Sequence, residues 1–76
     1  YSIAEINIAD KWTDKNLSEL ALRNRYSVNV LIIIRANDEI ITNPAGDTVL
    51  MADDILVVGG SNEDIEALSF AVNASK

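Results

Sequence analysis

The chain has no cysteine and no histidine. Without cysteine, neither a disulfide framework nor a thiolate metal site can be built. Without histidine, the commonest general base and the commonest transition-metal ligand are both missing. Basic residues are scarce: six, against twelve acids, for a formal charge of −6. Nucleic acid is therefore not an expected partner, because binding it rests on neutralising phosphates. The lysines, Lys11, Lys15 and Lys76, fall in loops or the tail, which leaves no buried activated amine. Nothing in the pattern marks a pocket that would raise one carboxyl pKa for paired-carboxylate hydrolysis, and the chain is read as not an enzyme. No apolar run is long enough to span a membrane and no signal peptide is visible, so direct membrane insertion is not expected.

What is present is a single domain's worth of chain, 76 residues, expected to be a fragment of a longer protein. A domain this small buries only about 60% of the surface its unfolded form exposes. Against that, 49% of the residues are apolar, enough to suggest that a partner chain covers part of the surface. The run Val28-Asn29-Val30-Leu31-Ile32-Ile33-Ile34-Arg35 is too short for a typical helix and too unbroken for a half-wet strand. It reads as a central strand buried on both faces. Strict alternation puts Val28, Val30, Ile32 and Ile34 on one side and Asn29, Leu31, Ile33 and Arg35 on the other.

Before that run, residues 3–9 alternate as a first strand, with Ile3, Glu5, Asn7 and Ala9 opposite Ala4, Ile6 and Ile8. Trp12, in a polar loop, reads as a lid on the core edge; a stacking platform for a ligand ring is the sharper alternative. A helix is expected from Asn16, with Glu19 completing a capping box, and Arg23 and Arg25 suit its negative pole. After Arg35 comes an Asn/Asp turn, then a hairpin strand over 39–42. Pro44 takes the backbone off the ladder. Ile55-Leu56-Val57-Val58 is the second strongly apolar strand, ended by Gly59-Gly60. Ser61 caps a last helix whose inner stripe is Ile65, Leu68 and Val72, with Phe70 pointing away. The tail Ala74-Ser75-Lys76 is expected to fray.

Few constellations suggest chemistry. Gly59-Gly60-Ser61 before a helix can hold an anion, but Glu63 and Asp64 answer the same positive pole. Asp38, Glu39, Asp47, Asp53 and Asp54 match no calcium-loop spacing and read as solvated turn acids. Arg35 either pairs with an acid such as Glu39 or offers its planar fork to a phosphate or carboxylate.

The ordered pattern resembles the RCK C-terminal domain, also called TrkA-C, of regulators of potassium channels and transporters. The resemblance rests on Trp12 with Lys15-Asn16-Leu17, then Leu20, Leu22-Arg23, Tyr26, Val28-Asn29-Val30, Ile34-Arg35, Pro44, Gly46-Asp47-Thr48, Leu50, Asp53-Asp54 and Ile55 to Gly59. It covers nearly the whole chain. Ser27 departs from it, where many relatives carry glycine. The resemblance implies dimerisation and, in KtrA- and KtrC-like members, a cyclic di-AMP regulator held between two subunits. It implies ligand-binding roles for Leu31, Ile32, Arg35, Ala36, Asn37, Asn43 and Pro44. Leu31 and Ile32 correspond to an aliphatic pair that packs on the adenines. Asn37 stands where the family position can be basic.

The expected fold is α+β: a small two-layer domain, β-α-β-β-β-α, with a mostly antiparallel sheet, TrkA C-terminal domain-like. The expected function is a cytoplasmic regulatory domain that senses a ligand and dimerises. Through the full-length protein it would control a membrane potassium channel or transporter subunit. No cofactor is certain, and cyclic di-AMP is the nucleotide candidate. The alternatives are a ligand-free structural dimerisation domain and an accessory cytoplasmic domain of an antiporter or anion permease.

Overall fold

The computed structural model describes residues 1–74; Ala74, expected to fray, is instead the last residue of the C-terminal helix, and the expected fraying of Ser75 and Lys76 lies outside the described residues. Strand β1 (Ser2–Asn7) leads through a short 3-10 turn at Asp10–Trp12 into helices α1 (Leu17–Leu20) and α2 (Leu22–Tyr26). Strands β2 (Asn29–Ile34), β3 (Ile40–Thr42) and β4 (Ile55–Gly60) follow, then helix α3 (Asn62–Ala74). The sheet order is β1-β4-β2-β3, with every neighbouring pair antiparallel. This is the expected α+β class, with β2 and β4 as the inner strands.

The ladder aligns Ile6, Leu56, Ile33 and Ile41 across one face, and Ala4, Val58 and Val30 beside them. Ile65, Leu68 and Val72 of α3 join these residues in the core. Trp12 is buried in the same cluster, which accounts for it as a lid without any ligand. The opposite face carries Ile3, Glu5, Asn7, Val57, Ile55, Ile32, Ile34, Ile40 and Thr42. Ile3 and Ile40 there are 64% and 61% exposed. The strand buried on both faces is thus not realised in a single chain: of β2, only Ile33 is fully covered, and β4 is the better buried strand.

The expected alternation in β2 also fails, for a specific reason. Val30 pairs with Val58 but Ile32 with Val57, so Leu31 is an extra residue. Such a bulge shifts the side-chain phase by one. Val28 and Val30 therefore share the inner face with Ile33, and Asn29 falls with Ile32 and Ile34.

The predicted single helix is two. Its capping box forms as expected, Asn16 Oδ1 accepting from Glu19 N–H at 2.7 Å and Glu19 Oε1 from Asn16 N–H at 3.0 Å. Ala21 then takes a left-handed conformation, φ 50°, and α2 restarts at a new angle. In one continuous helix, residues two apart point to nearly opposite sides. The break lets Leu20 and Leu22 both be buried, at 5% and 4% exposure. Ser27 ends α2 with φ 58°, the conformation glycine would supply without strain. Each left-handed non-glycine costs about 1–2 kcal/mol.

Gly59 and Gly60 belong to β4 rather than to a turn after it. A Cβ on Gly60 would lie 3.2 Å from Val28 Cγ1 and 3.4 Å from the Ser27 carbonyl, so the missing side chain lets β2 approach. Ser61 Oγ caps α3 by accepting from Asp64 N–H at 3.1 Å.

Candidate functional site

A cleft of about 710 Å³ lies between the broken α1–α2 segment, the bulged start of β2 and the loop 43–46. Each wall follows from a local feature. The break at Ala21 turns Leu22 and Arg23 toward β2. The bulge presents Val30 and Leu31 together. Asn43, itself left-handed at φ 46°, donates its N–H to the Leu31 carbonyl at 3.0 Å and starts the third wall. That wall is zipped to the helix entrance: Ser18 N–H donates to Gly46 O at 2.9 Å and Leu17 N–H to Thr48 O at 3.2 Å.

The apolar lining is Leu17, Ala21, Leu22, Val28, Val30, Leu31 and Pro44. The polar lining is Ser18, Arg23, Asn24, Asn29 and Asn43, and Gly46 completes the cleft. Asn29 Oδ1 accepts from Arg23 Nε at 2.9 Å and also from Nη2, fixing the guanidinium across the β2 entrance.

The seven residues expected to bind ligand fall into separate places. Leu31, Asn43 and Pro44 line the cleft. Ile32 is on the open sheet face, paired with Thr42 and Val57. Ala36 and Asn37 are exposed in the β2–β3 turn, at the other end of the hairpin from Pro44, roughly 20 Å away at strand rise. Asn37 Oδ1 is occupied locally, accepting from Glu39 N–H at 3.1 Å.

Arg35 leaves the cleft altogether. Its Nη1 lies 3.4 Å from Asp54 Oδ2, with the two side chains 11% and 0% exposed. Its Nη2 donates to Val49 O at 3.0 Å. Glu39 meets only its backbone, accepting from Arg35 N–H through the Glu39 carbonyl at 2.8 Å. Asp54 is accordingly no solvated turn acid; its Oδ2 also accepts from Met51 N–H at 2.8 Å and shapes the 51–54 turn. The cation at the cleft is Arg23, which sequence reasoning assigned only to a helix end. The signal that was available is the nearness of Arg23 to Asn29 in a strand-entering turn.

Among the described residues, no group of three or more acidic side chains gathers as a cation site. No described helix is long and apolar enough to cross a membrane.

The sequence matches the family model of the TrkA-C domain over residues 3–69. It is 35% identical over 54 residues to the K(+)/H(+) antiporter subunit KhtT of Bacillus subtilis, covering 71% of this chain and 33% of that protein. It is 34% identical over 65 residues to the Ktr system potassium uptake protein C of the same organism, covering 86% of this chain and 29% of that one. The chain thus spans about a third of the length of these curated relatives. Among solved structures, it superimposes with TM-score 0.87 and 27% identity on the RCK C domain of the potassium transport protein KtrA, in complex with cyclic diadenosine monophosphate (c-di-AMP). That likeness covers 93% of this chain and 82% of the other.

Proposed function

Since the chain belongs to the TrkA-C domain family, matched over residues 3–69, we propose that it is the ligand-sensing and dimerising part of a longer cytoplasmic regulator of potassium transport, and that its ligand is cyclic di-AMP. One observation carries the reading: Leu31 and Pro44, separated by the hairpin in sequence, meet as walls of one aliphatic cleft. A flat base needs such apolar walls with a few polar groups to orient it. The KtrA domain of like fold is in complex with this nucleotide. A ligand shared by two identical chains sits on their two-fold axis and meets each residue twice. The aliphatic open face of the sheet, with Ile3 and Ile40 exposed, and Phe70, 75% exposed on α3, are surfaces a second copy could cover.

A ligand-free dimerisation domain is the second reading, and the same open sheet face favours it. The antiporter subunit among the relatives keeps open which kind of transporter the parent protein serves.

Calorimetry with cyclic di-AMP tests the proposal. Leu31→Asp places a carboxylate in the cleft while leaving a half-exposed backbone position otherwise unchanged. It should weaken binding at least about tenfold, the effect of roughly 1.4 kcal/mol, with the circular dichroism spectrum preserved. Absence of heat from the folded wild-type chain would sink the ligand reading in favour of the structural one. Sedimentation equilibrium showing only monomer, with and without the nucleotide, would sink both.

A further inference from the structure

The cleft's charge is at odds with that of the chain. Twelve acidic residues give the protein a net charge of −6, yet not one of them lines the cleft. Among the described residues, its only ionisable lining residue is Arg23. An acidic protein that keeps one concave surface free of carboxylates and sets a cation in it offers an anion a local charge opposite in sign to its net charge.

We propose that Arg23 is the phosphate-binding residue of the cleft and that Asn29 is its positioning residue. This rests on the nucleotide reading above and names the group that answers the ligand's negative charge. A guanidinium has five N–H donors. Asn29 Oδ1 takes one from Nε and one from Nη2, and three remain for an anion. The Asn29 amide is neutral, so it holds the fork in place without cancelling its charge. Arg23 is exposed and lines the cleft with Leu22 and Leu31, so the cation stands at the rim of the apolar lining, where a phosphate joined to a base would fall. The charge that Asn37 does not supply in the β2–β3 turn, and that Arg35 gives to Asp54, thus comes from α2. Two copies of the chain offer two such forks related by the two-fold axis, matching the two symmetry-related phosphodiesters of a cyclic dinucleotide.

The test is calorimetry of the 76-residue chain with cyclic di-AMP at low and high sodium chloride, on wild type, Arg23→Gln, Arg23→Lys and Asn29→Asp. NMR titration with AMP at millimolar concentration is run in parallel on wild type and Arg23→Gln. Arg23→Gln should weaken cyclic di-AMP binding by roughly tenfold to a hundredfold, the range of a hydrogen bond to a charged group, and flatten its salt dependence. Arg23→Lys keeps the charge without the fork and should fall in between. Arg23→Gln decides the phosphate contact, and Asn29→Asp tests the positioning residue. It strengthens the contact to Arg23 but neutralises it, so stability should hold while affinity drops at least about tenfold.

Asn29 lines the cleft, so the carboxylate introduced there would repel a phosphate directly as well as neutralise Arg23, and binding by Asn29→Asp equal to wild type overturns the assignment. So does cyclic di-AMP binding by Arg23→Gln equal to wild type at both salt concentrations; the cyclic di-AMP reading then stands without it. If wild type does not bind cyclic di-AMP, but AMP shifts the Leu31 and Leu22 methyl signals in wild type and not in Arg23→Gln, the reading fails and the assignment holds. No shift with AMP and no heat with cyclic di-AMP overturns both.

Discussion

Asp54→Ala should cost about 3–5 kcal/mol of stability, a large share of what so small a domain has. A 76-residue domain has on the order of 4–11 kcal/mol of stability at the usual 0.05–0.15 kcal/mol per residue. Removing one partner of a buried ion pair costs about 3–5 kcal/mol, because the survivor stays buried and uncompensated. Here the survivor is Arg35, 11% exposed, and the same substitution strips the Met51 N–H of its acceptor. The loss is not confined to one turn. Arg35 also holds Val49, and the neighbouring Leu50 is zipped to the entrance of α1 through Lys15 and Asp14. Urea unfolding followed by Trp12 fluorescence measures the effect. The double variant Arg35→Met, Asp54→Leu removes both charges and should recover most of the lost stability, as buried pairs replaced by apolar residues often do. An Asp54→Ala chain with the wild-type urea midpoint would show that the pair contributes nothing.

Deleting Leu31 should abolish cyclic di-AMP binding while leaving the fold nearly as stable as before. Without the extra residue, Val30 opposite Val58 is followed directly by Ile32 opposite Val57, and β2 has a continuous register. Val28, Val30 and Ile33 keep the inner face and Asn29, Ile32 and Ile34 the outer one, because the deletion removes only the residue that interrupts the alternation. What is lost is the apolar wall that Leu31 gives the cleft and the carbonyl that accepts from Asn43 N–H. That hydrogen bond is worth about 0.5–1.5 kcal/mol. Leu31→Ala keeps the bulge and the hydrogen bond and should cost under about 1 kcal/mol of stability, since a half-exposed side chain contributes only part of a full burial. Calorimetry and urea midpoints check both variants, and a deletion variant that does not fold would mean that the bulge is needed to set the two faces.

These two features bear on how much was legible beforehand. The identity of β2 and β4 followed from their unbroken β-branched runs, the start of α1 from Asn16 and Glu19, and the hairpin from Asn37-Asp38 between extended segments. What escaped was every place where the backbone departs from its period. The bulge at Leu31 carries no glycine or proline to mark it. The left-handed residues at Ala21 and Ser27 are side chains that ordinarily avoid that conformation, held there because Leu20, Leu22 and Val28 are all buried. The partner of Arg35 could not be read locally, since Asp54 reaches it only through the path of the loop after β3. For the site, the family resemblance pointed to Leu31, Asn43 and Pro44, which meet in the cleft. Its remaining residues lie elsewhere in the single chain, and Arg23 was missed because its place at the end of a helix was reason enough for a cation there.

The strand order β1-β4-β2-β3 also dictates a timetable. Strand β1 is paired only with β4, whose first residue, Ile55, is 48 positions after the last of β1, Asn7. During synthesis the first strand therefore waits beside an empty lane, and only the β2–β3 hairpin can form early. When Ile55–Gly60 arrives it must insert between β1 and β2, creating both long-range ladders in one step. Closing such distant pairs slows folding, and until then the β-branched edges of β1 and β2 are both open to other chains. The interval before β4 leaves the ribosome is thus when this small domain is most exposed to aggregation.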